Sequence, residues 1–292
     1  MRTLAVTGDD FGSSEAVNHG IAEAHDRGIL TRASLMVAGK AASEAVELAR
    51  SRPRLAVGLH LVVVDGFAAL PPRQVPNLVD SFGRFRGGPV LAGLRYQFSA
   101  AARRELFREI RAQLERFRDT GLPLSHVDGH HHMHLHPVVL RMLGRLAREF
   151  RIPEIRLPSE ELLPALALDR SGAAAKVLSS AVFRLLRWNG KRRLSAAGIG
   201  FSERVYGLLA TGRITEEYLL GLVPSIRAGR VELYCHPAVP RSGGLARDSG
   251  ENGPRELAAL TSRRVREAVR IHGFVLSESA GIPPELPRTA AR

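Results

Sequence analysis

Six of the chain's eleven histidines fall within one run, His126-Val127-Asp128-Gly129-His130-His131-His132-Met133-His134-Leu135-His136. Imidazole is the commonest metal ligand and titrates near neutral pH, so this density, with Asp128 inside it, points to metal coordination or proton transfer. Three further polar signals interrupt apolar runs elsewhere: Asp9-Asp10, His60 and His236. Two imidazoles and a carboxylate, with coordination positions left open, make a minimal catalytic metal site. The clustered histidines cannot all face one cavity. If residues 128 to 130 are extended, Asp128 and His130 share a side and His131 takes the other. Each signal also has a plain structural explanation: a helix N-cap for Asp9-Asp10, a hydrogen-bonded core histidine for His60, packing for Cys235. Their joint location is what weighs against those explanations.

That location follows from the elements. Residues 3 to 8 read as a buried strand stopped by Asp9-Asp10-Phe11-Gly12, and Ser13-Ser14 then cap a helix running to Gly28. Strands are expected at 33–37, 55–61, 123–128, 155–157, 201–205, 231–236 and 274–276. Helices are expected at 41–50, 103–118, 138–150, 216–223 and 255–270, with a loop holding Gly243-Gly244 before the last. Strand alternating with helix implies parallel pairing. Seven to eight such units without an internal linker predict an α/β fold: a single (β/α) barrel, TIM-like and open to distortion, over residues 1–280 with a loose tail at 281–292. In such a barrel Asp9-Asp10, His60, the histidine run and His236 all end strands on one face, where active sites of this architecture are built.

Two stretches break the rhythm. Residues 64–100, with Pro71-Pro72 and Gly87-Gly88-Pro89, read as a lid or substrate wall in preference to a disordered insertion. Residues 160–198 mix Leu162-Leu163, Val177-Leu178, Val182-Phe183, Leu185-Leu186 and Trp188 with Arg184, Arg187, Lys191, Arg192 and Arg193. A barrel helix with a solvated basic face accounts for this pattern. So does contact with an anionic membrane surface through 176–193. The net charge of +13 comes mainly from arginine, with lysine only at 40, 176 and 191, and no nucleic-acid motif accompanies it; no nucleic-acid partner is expected. The single cysteine and the short apolar run before Asp9, too brief for a secretory signal, predict a cytoplasmic protein.

Four motifs together carry a family resemblance: Asp9-Asp10-Phe11-Gly12, Gly58-Leu59-His60, His126 to His134, and Cys235-His236-Pro237. In order and spacing they resemble the YdjC-like carbohydrate deacetylases, the group containing chitooligosaccharide deacetylase, over roughly residues 1 to 278. Softer motifs, Val63-Val64-Asp65-Gly66, the Pro71-Pro72 turn, Arg95-Tyr96-Gln97-Phe98 and Leu135-His136-Pro137, look most like the hopanoid-biosynthesis-associated branch. The resemblance implies a metal-dependent hydrolase that removes the acetyl group from an N-acetylated amino sugar, with the N-acetylglucosaminyl head group of a hopanoid as the expected substrate. Soluble chitooligosaccharides and a noncatalytic metal-binding role are the alternatives. It implies one divalent ion on Asp10, His60 and His130, Asp9 as general base and His236 as general acid. His126, Asp128, His131, His132 and His134 are then second-shell or substrate-binding candidates. Two imidazoles favour zinc, and one carboxylate with waters leaves magnesium or another divalent ion open. A lipid-linked substrate would place the enzyme at the inner face of the membrane. Many relatives have serine where Gly129 stands, a departure beside the expected ligands.

Overall fold

A computed structural model describes residues 1–240 and 252–280; the Gly243-Gly244 loop and the expected tail lie outside the described residues. The chain runs β1 (Arg2–Phe11), α1 (Glu15–Arg27), β2 (Arg32–Leu35), α2 (Ala42–Arg50), β3 (Ala56–Leu61), α3 (Pro89–Phe98), α4 (Ala100–Asp119), β4 (Val127–Gly129) and α5 (Pro137–Leu146). It continues through α6 (Leu162–Leu168), α7 (Ala173–Ala197), β5 (Arg204–Tyr206), α8 (Glu216–Ser225), β6 (Arg230–Cys235), α9 (Asn252–Thr261), α10 (Arg263–Ile271) and β7 (Phe274–Leu276). The strands form one parallel sheet in the order β4-β3-β2-β1-β6-β5, with β7 pairing the start of β1. Serines and a threonine at the helix starts supply the missing acceptors: Ser14, Ser99, Thr215 and Ser262 each accept a backbone N–H of the first turn.

The barrel is distorted and incompletely closed. Seven strands are present among the described residues, and the expected strand at 155–157 is reduced to single bridges, Val127 to Ile155 and Glu154 to Gly200, with Ser159 meeting Val205 in antiparallel sense. Pro153 and Pro158 bracket this piece; neither has an N–H to donate to a ladder, and so the segment stays too short for regular pairing. The other expected strands are found with shifted ends, most notably β1, which extends through Asp9 and Asp10 to Phe11.

The two faces of the sheet differ in chemistry. Leu4, Val6, Val57, Leu59, Val231 and Leu233 point outward and are buried under the helices. The alternate positions, Thr7, Asp9, Arg32, Ser34, His60, Asp128, Glu232 and Tyr234, are buried as well but polar. The space inside the strands is therefore filled by a hydrogen-bonded charged layer rather than by aliphatic side chains.

Strand register assembles that layer. Ser34 is level with Gly58, and Leu59 with Val127, so Ser34, Gly58 and His126 form a row across three strands, with His60 beside Asp128 in the next row on that face. Glycine in the middle of the first row leaves room for the His126 ring to reach Ser34, with Nε2 and Oγ 2.9 Å apart. A Cβ built on Gly58 would collide with that ring.

The 64–100 excursion is ordered by α4. Glu109 accepts the N–H groups of Ala69 and Leu70, and Glu105 accepts the backbone and side-chain amides of Asn77. Residues 160–198 become α6 and α7. Alanine in a strand interior ordinarily improves on glycine, yet Gly58→Ala is expected to lower stability by about 1–3 kcal/mol through overpacking against His126, read as a reduced urea midpoint with unchanged m.

Candidate active site

Asp9 and Asp10 are successive residues of one strand, and side chains of successive strand residues normally point to opposite faces. Here the register between β1 and β2 slips between Gly8 and Phe11, and Asp10 adopts the left-handed region with φ 64°. Aspartate tolerates that conformation better than most residues. The bulge turns both carboxylates toward the same polar interior. Asp9 is buried and Asp10 faces the outer cleft.

Asp10 Oδ1 lies 3.2 Å from His60 Nε2 and 3.0 Å from His130 Nδ1. Asp10, His60 and His130 can each offer one ligand atom, and these atoms lie within 4.8 Å of one another. The three come from β1, β3 and the turn after β4. His60 Nδ1 is 2.8 Å from Asp128 Oδ1, an arrangement that keeps a proton on Nδ1 and points Nε2 toward Asp10 at the cleft. Burial alone would push His60 down, but the Asp128 and Asp10 carboxylates carry it up to about 10. For Asp10 the desolvation by burial is outweighed by His130 and His60, which hold its carboxyl well below the usual range.

Behind Asp128 the hydrogen bonds fix tautomers. The Ser34 hydroxyl donates to Asp128 Oδ2 at 2.6 Å, so its oxygen accepts from His126 Nε2, while the Ser125 hydroxyl donates to His126 Nδ1 at 2.7 Å. Burial and the nearby Arg32 guanidinium keep His126 neutral. His126 thus orients Asp128 and does not enter the cleft.

The residue that sequence reasoning missed is Arg156. Fully buried, its guanidinium donates to Asp9 through Nη1 at 2.6 Å and Nη2 at 2.8 Å, to Glu232 Oε1 through Nε at 2.9 Å, and reaches Asp128 Oδ2 at 2.7 Å. It also lies over the Tyr234 ring, 4.9 Å from the centroid. A planar fork suits this set of carboxylates as no ammonium does. The one signal in the sequence was a single arginine between Ile155 and Leu157, in a segment otherwise apolar enough to be buried.

The remaining histidines have separate tasks. His131 and His132 occupy left-handed conformations, φ 51° and 55°, which fold the chain tightly just after His130. His131 Nε2 is 3.2 Å from Asp65 Oδ2 at the outer edge. His132 Nε2 is 3.0 Å from the Tyr234 hydroxyl, and its ring packs on Phe183 of α7. His134 Nε2 donates to the Arg156 carbonyl at 2.9 Å, and burial lowers its value to about 4. His136 caps α5 by accepting the Val138 N–H. Gly129 is extended, and a Cβ there would lie 3.1 Å from His134 Nδ1, a buried atom without a hydrogen-bond partner. His236 follows Cys235, which is level with Gly8, so the β6 end carries His236 past the level of Asp9's neighbour; its backbone N–H donates to Glu256. No contact brings the His236 ring to the Asp10, His60 and His130 group among the described residues.

The cleft in front of Asp10 and His130 has a volume of about 840 Å³. Ser13, Met36, Lys40, Asp65, Phe67 and Arg84 are among the residues that line it, so the 64–100 excursion forms one of its walls. A second cavity of about 770 Å³ lies beyond Phe183, between α6, α7 and β5. Glu160 on its wall is pushed up by burial to about 7, although it accepts from the Leu209 N–H and the Tyr218 hydroxyl.

An incompletely closed parallel α/β barrel, with two imidazoles and a carboxylate gathered at the carboxyl ends of its strands and a second carboxylate clamped by arginine, has the architecture of a hydrolase with a candidate cation site. The chain belongs to the YdjC-like protein family, whose model matches residues 3–270. It is 34% identical over 265 residues to a carbohydrate deacetylase of Geobacillus stearothermophilus, covering 89% of each chain. It is 32% identical over 284 residues to a chitooligosaccharide deacetylase of Klebsiella pneumoniae, covering 94% of this chain and 97% of that one. A carbohydrate deacetylase of Brevibacillus brevis is 45% identical over 155 residues, but that match spans only 59% of the relative and 53% of this chain. Among solved structures, a protein from Enterococcus faecalis V583 provisionally described as a cellobiose-phosphate cleavage protein superposes with a TM-score of 0.70 at 26% identity, covering 94% of this chain and 97% of that one.

Two outcomes follow from the buried charges. Arg156→Met leaves Asp9, Asp128 and Glu232 without their counter-charge and is expected to cost about 3–5 kcal/mol in urea unfolding. Glu160 has a folded value raised from 4.5 to about 7, so the stability it confers is full below 4.5 and is lost as pH rises through 7. Glu160→Gln should remove roughly 3 kcal/mol of that pH dependence, measured as unfolding free energy at several pH values.

Proposed function

We propose that the protein is a metal-dependent carbohydrate N-deacetylase. The observation that carries this reading is the pair of carboxylates turned to one side by the β1 bulge, Asp10 grouped with His60 and His130, Asp9 fixed by Arg156. The donor set fits a divalent cation: two imidazole nitrogens and one carboxylate oxygen, with His60 oriented from behind by Asp128. Whole-length similarity to relatives named as carbohydrate and chitooligosaccharide deacetylases supports the substrate class.

A divalent cation held by Asp10, His60 and His130 would supply Lewis acidity to water and to the acetyl carbonyl. Asp9 accepts the proton of the attacking water, and the two guanidinium bonds from Arg156 keep its carboxylate in one orientation while it does so. His236 donates a proton to the sugar nitrogen as the C–N bond breaks, so that an amine and acetate leave. Phe67, with Lys40 and Arg84 over its ring, gives the cleft a wall of mixed aromatic and cationic character that a sugar and its hydroxyls can contact. Two imidazoles favour zinc over magnesium.

The finer substrate reading is the N-acetylglucosaminyl head group of a hopanoid lipid, with the enzyme at the cytoplasmic face of the membrane and residues 1–280 acting as one catalytic unit. No described helix is long and apolar enough to cross a membrane, so the contact we propose is peripheral, through 176–193. A soluble chitooligosaccharide is the second reading, favoured by the Klebsiella relative's full-length match. Mass spectrometry of N-acetylglucosaminyl hopanoid and diacetylchitobiose incubated side by side, with and without chelator, separates them; acetate loss from neither sinks the deacetylase assignment. Asp9→Asn should keep the bound metal and lower kcat by about 10²–10⁴-fold, whereas a metal-storage protein would have no turnover to lose.

A further inference from the structure

The histidine turn has a helix on each side. On one side α3 packs against it through Tyr96 and Gly93, with the Tyr96 and His136 rings 6.2 Å apart. On the other, α7 packs through Phe183, whose ring is 5.4 Å from that of His132. Arg187 fastens the inner side of α7 by donating to the carbonyls of Leu157, Ser202 and Glu203. The inner faces of both helices are thus committed to the turn that carries His130 and to the barrel wall.

The outer faces are apolar and uncovered. On α3, Val90, Leu94 and Phe98 recur at four-residue spacing and are exposed, Phe98 to 77%. On α7, Leu178, Val182, Leu185 and Trp188 form a stripe over three turns, with Leu185 exposed to 67%. Two such stripes on the helices that flank the histidine turn exceed the scattered single residues that need no explanation.

Charge says what covers them. Residues 81–104, which contain α3, and residues 170–202, which contain α7, hold twelve of the chain's 42 lysines and arginines and none of its 29 aspartates and glutamates. The other 30 cations are balanced by 29 anions, so nearly the whole excess of +13 sits in the two segments beside the site. A general compositional preference for arginine would not distribute it so. A second copy of the chain would bring like charges together on this face, and a nucleic acid offers no apolar interior for leucine, valine and phenylalanine. An anionic bilayer offers both phosphates and acyl chains.

We propose that α3 and α7 form a two-part surface that seats the protein on anionic membranes with the histidine turn between them. The exposed apolar side chains enter the acyl boundary while Arg86, Arg95, Arg184, Lys191, Arg192 and Arg193 meet the headgroups. This deepens the lipid-linked reading of the site and rests on it for its purpose. The test reads binding without turnover, so the two can fail separately.

Trp188 is the chain's one tryptophan, and its emission therefore reports α7 directly. The full-length protein is mixed with vesicles of phosphatidylglycerol and phosphatidylcholine, or of phosphatidylcholine alone, at low and high salt. The expected result is a blue shift and co-sedimentation with the anionic vesicles that fade as salt rises. Leu94→Asp with Phe98→Asp, far from Trp188, should weaken vesicle binding by at least about tenfold, as should Leu185→Asp with Val182→Asp, since each pair removes the burial of two large apolar side chains. Thermal midpoints of both variants should stay near the parent value because all four side chains are exposed in the folded protein. Absence of anionic-vesicle binding overturns the proposal, and so does binding that the α3 substitutions leave intact. Dimerisation abolished by the same substitutions would assign the surface to a second copy, and salt-sensitive DNA binding without vesicle binding would assign it to a nucleic acid; either result also overturns it.

Discussion

The structure depends on a buried guanidinium. Arg156 lies at the centre of the strands with Asp9, Asp128 and Glu232 around it, and none of the four has appreciable contact with water. Removing such groups from solvent costs several kcal/mol for each ion, and it is tolerable only when the hydrogen-bond geometry is good and the charges balance. Arginine can meet three carboxylates at once because its five N–H donors fan out in different directions within one plane. The same group that, with His60 and Arg32, offsets the carboxylate charge of the interior also fixes Asp9, while Asp128, fixed from its other side by Ser34, fixes His60. Stability of the polar interior and geometry of the cleft are therefore one constraint. A second buried pair, Arg32 with Glu154 at 2.9 Å, extends the layer toward the amino-terminal end of the strands.

Conformational strain is concentrated where this layer opens to solvent. Of the five described non-glycine residues with positive φ, Asp10 and Asp65 line the cleft, and His131 and His132 follow directly on His130, which lines it too. In each case a short polar link replaces the regular continuation of strand or helix, and the surrounding hydrogen bonds determine the conformation. The 3₁₀ turn from His130 to Leu135 distributes its imidazoles in several directions: one toward Asp10, one toward Asp65, one toward Tyr234 and one toward the Arg156 carbonyl. The density of histidine in the sequence thus serves the support of the site at least as much as its chemistry. His132 and His136 also receive the two flanking helices, so the turn couples the cleft to its surroundings.

The interior of the sheet departs from the apolar filling usual in parallel barrels, and closure departs with it. Between β4 and β5 the chain has Pro153, Pro158 and the buried Arg156 where a regular strand would run, and only single bridges cross the gap. The helices α6 and α7 fill that side with a cavity between them in place of a pairing strand. The opening is thus local, confined to the part of the sheet that carries Arg156.

Apolar periodicity and turn residues in the sequence were sufficient for the alternation of strands and helices, and the four polar motifs were legible because each stands at the end of an apolar run. The same reasoning could group Asp9-Asp10, His60 and His130 on one face, since parallel strands share a direction. It could not see that Asp10 would turn to join Asp9, because a bulge arises from the register of β1 against β2 and not from the residues of β1. Nor could it find Arg156, whose partners lie 147, 28 and 76 positions away and meet it only across the folded sheet. The apolar residues of α7 were equally visible in the sequence, but periodicity gives a helix two faces without saying which one is covered. That choice belongs to tertiary packing: Gly190 and Arg187 fit the barrel wall, and the leucines, valine and tryptophan of the other face are left outside.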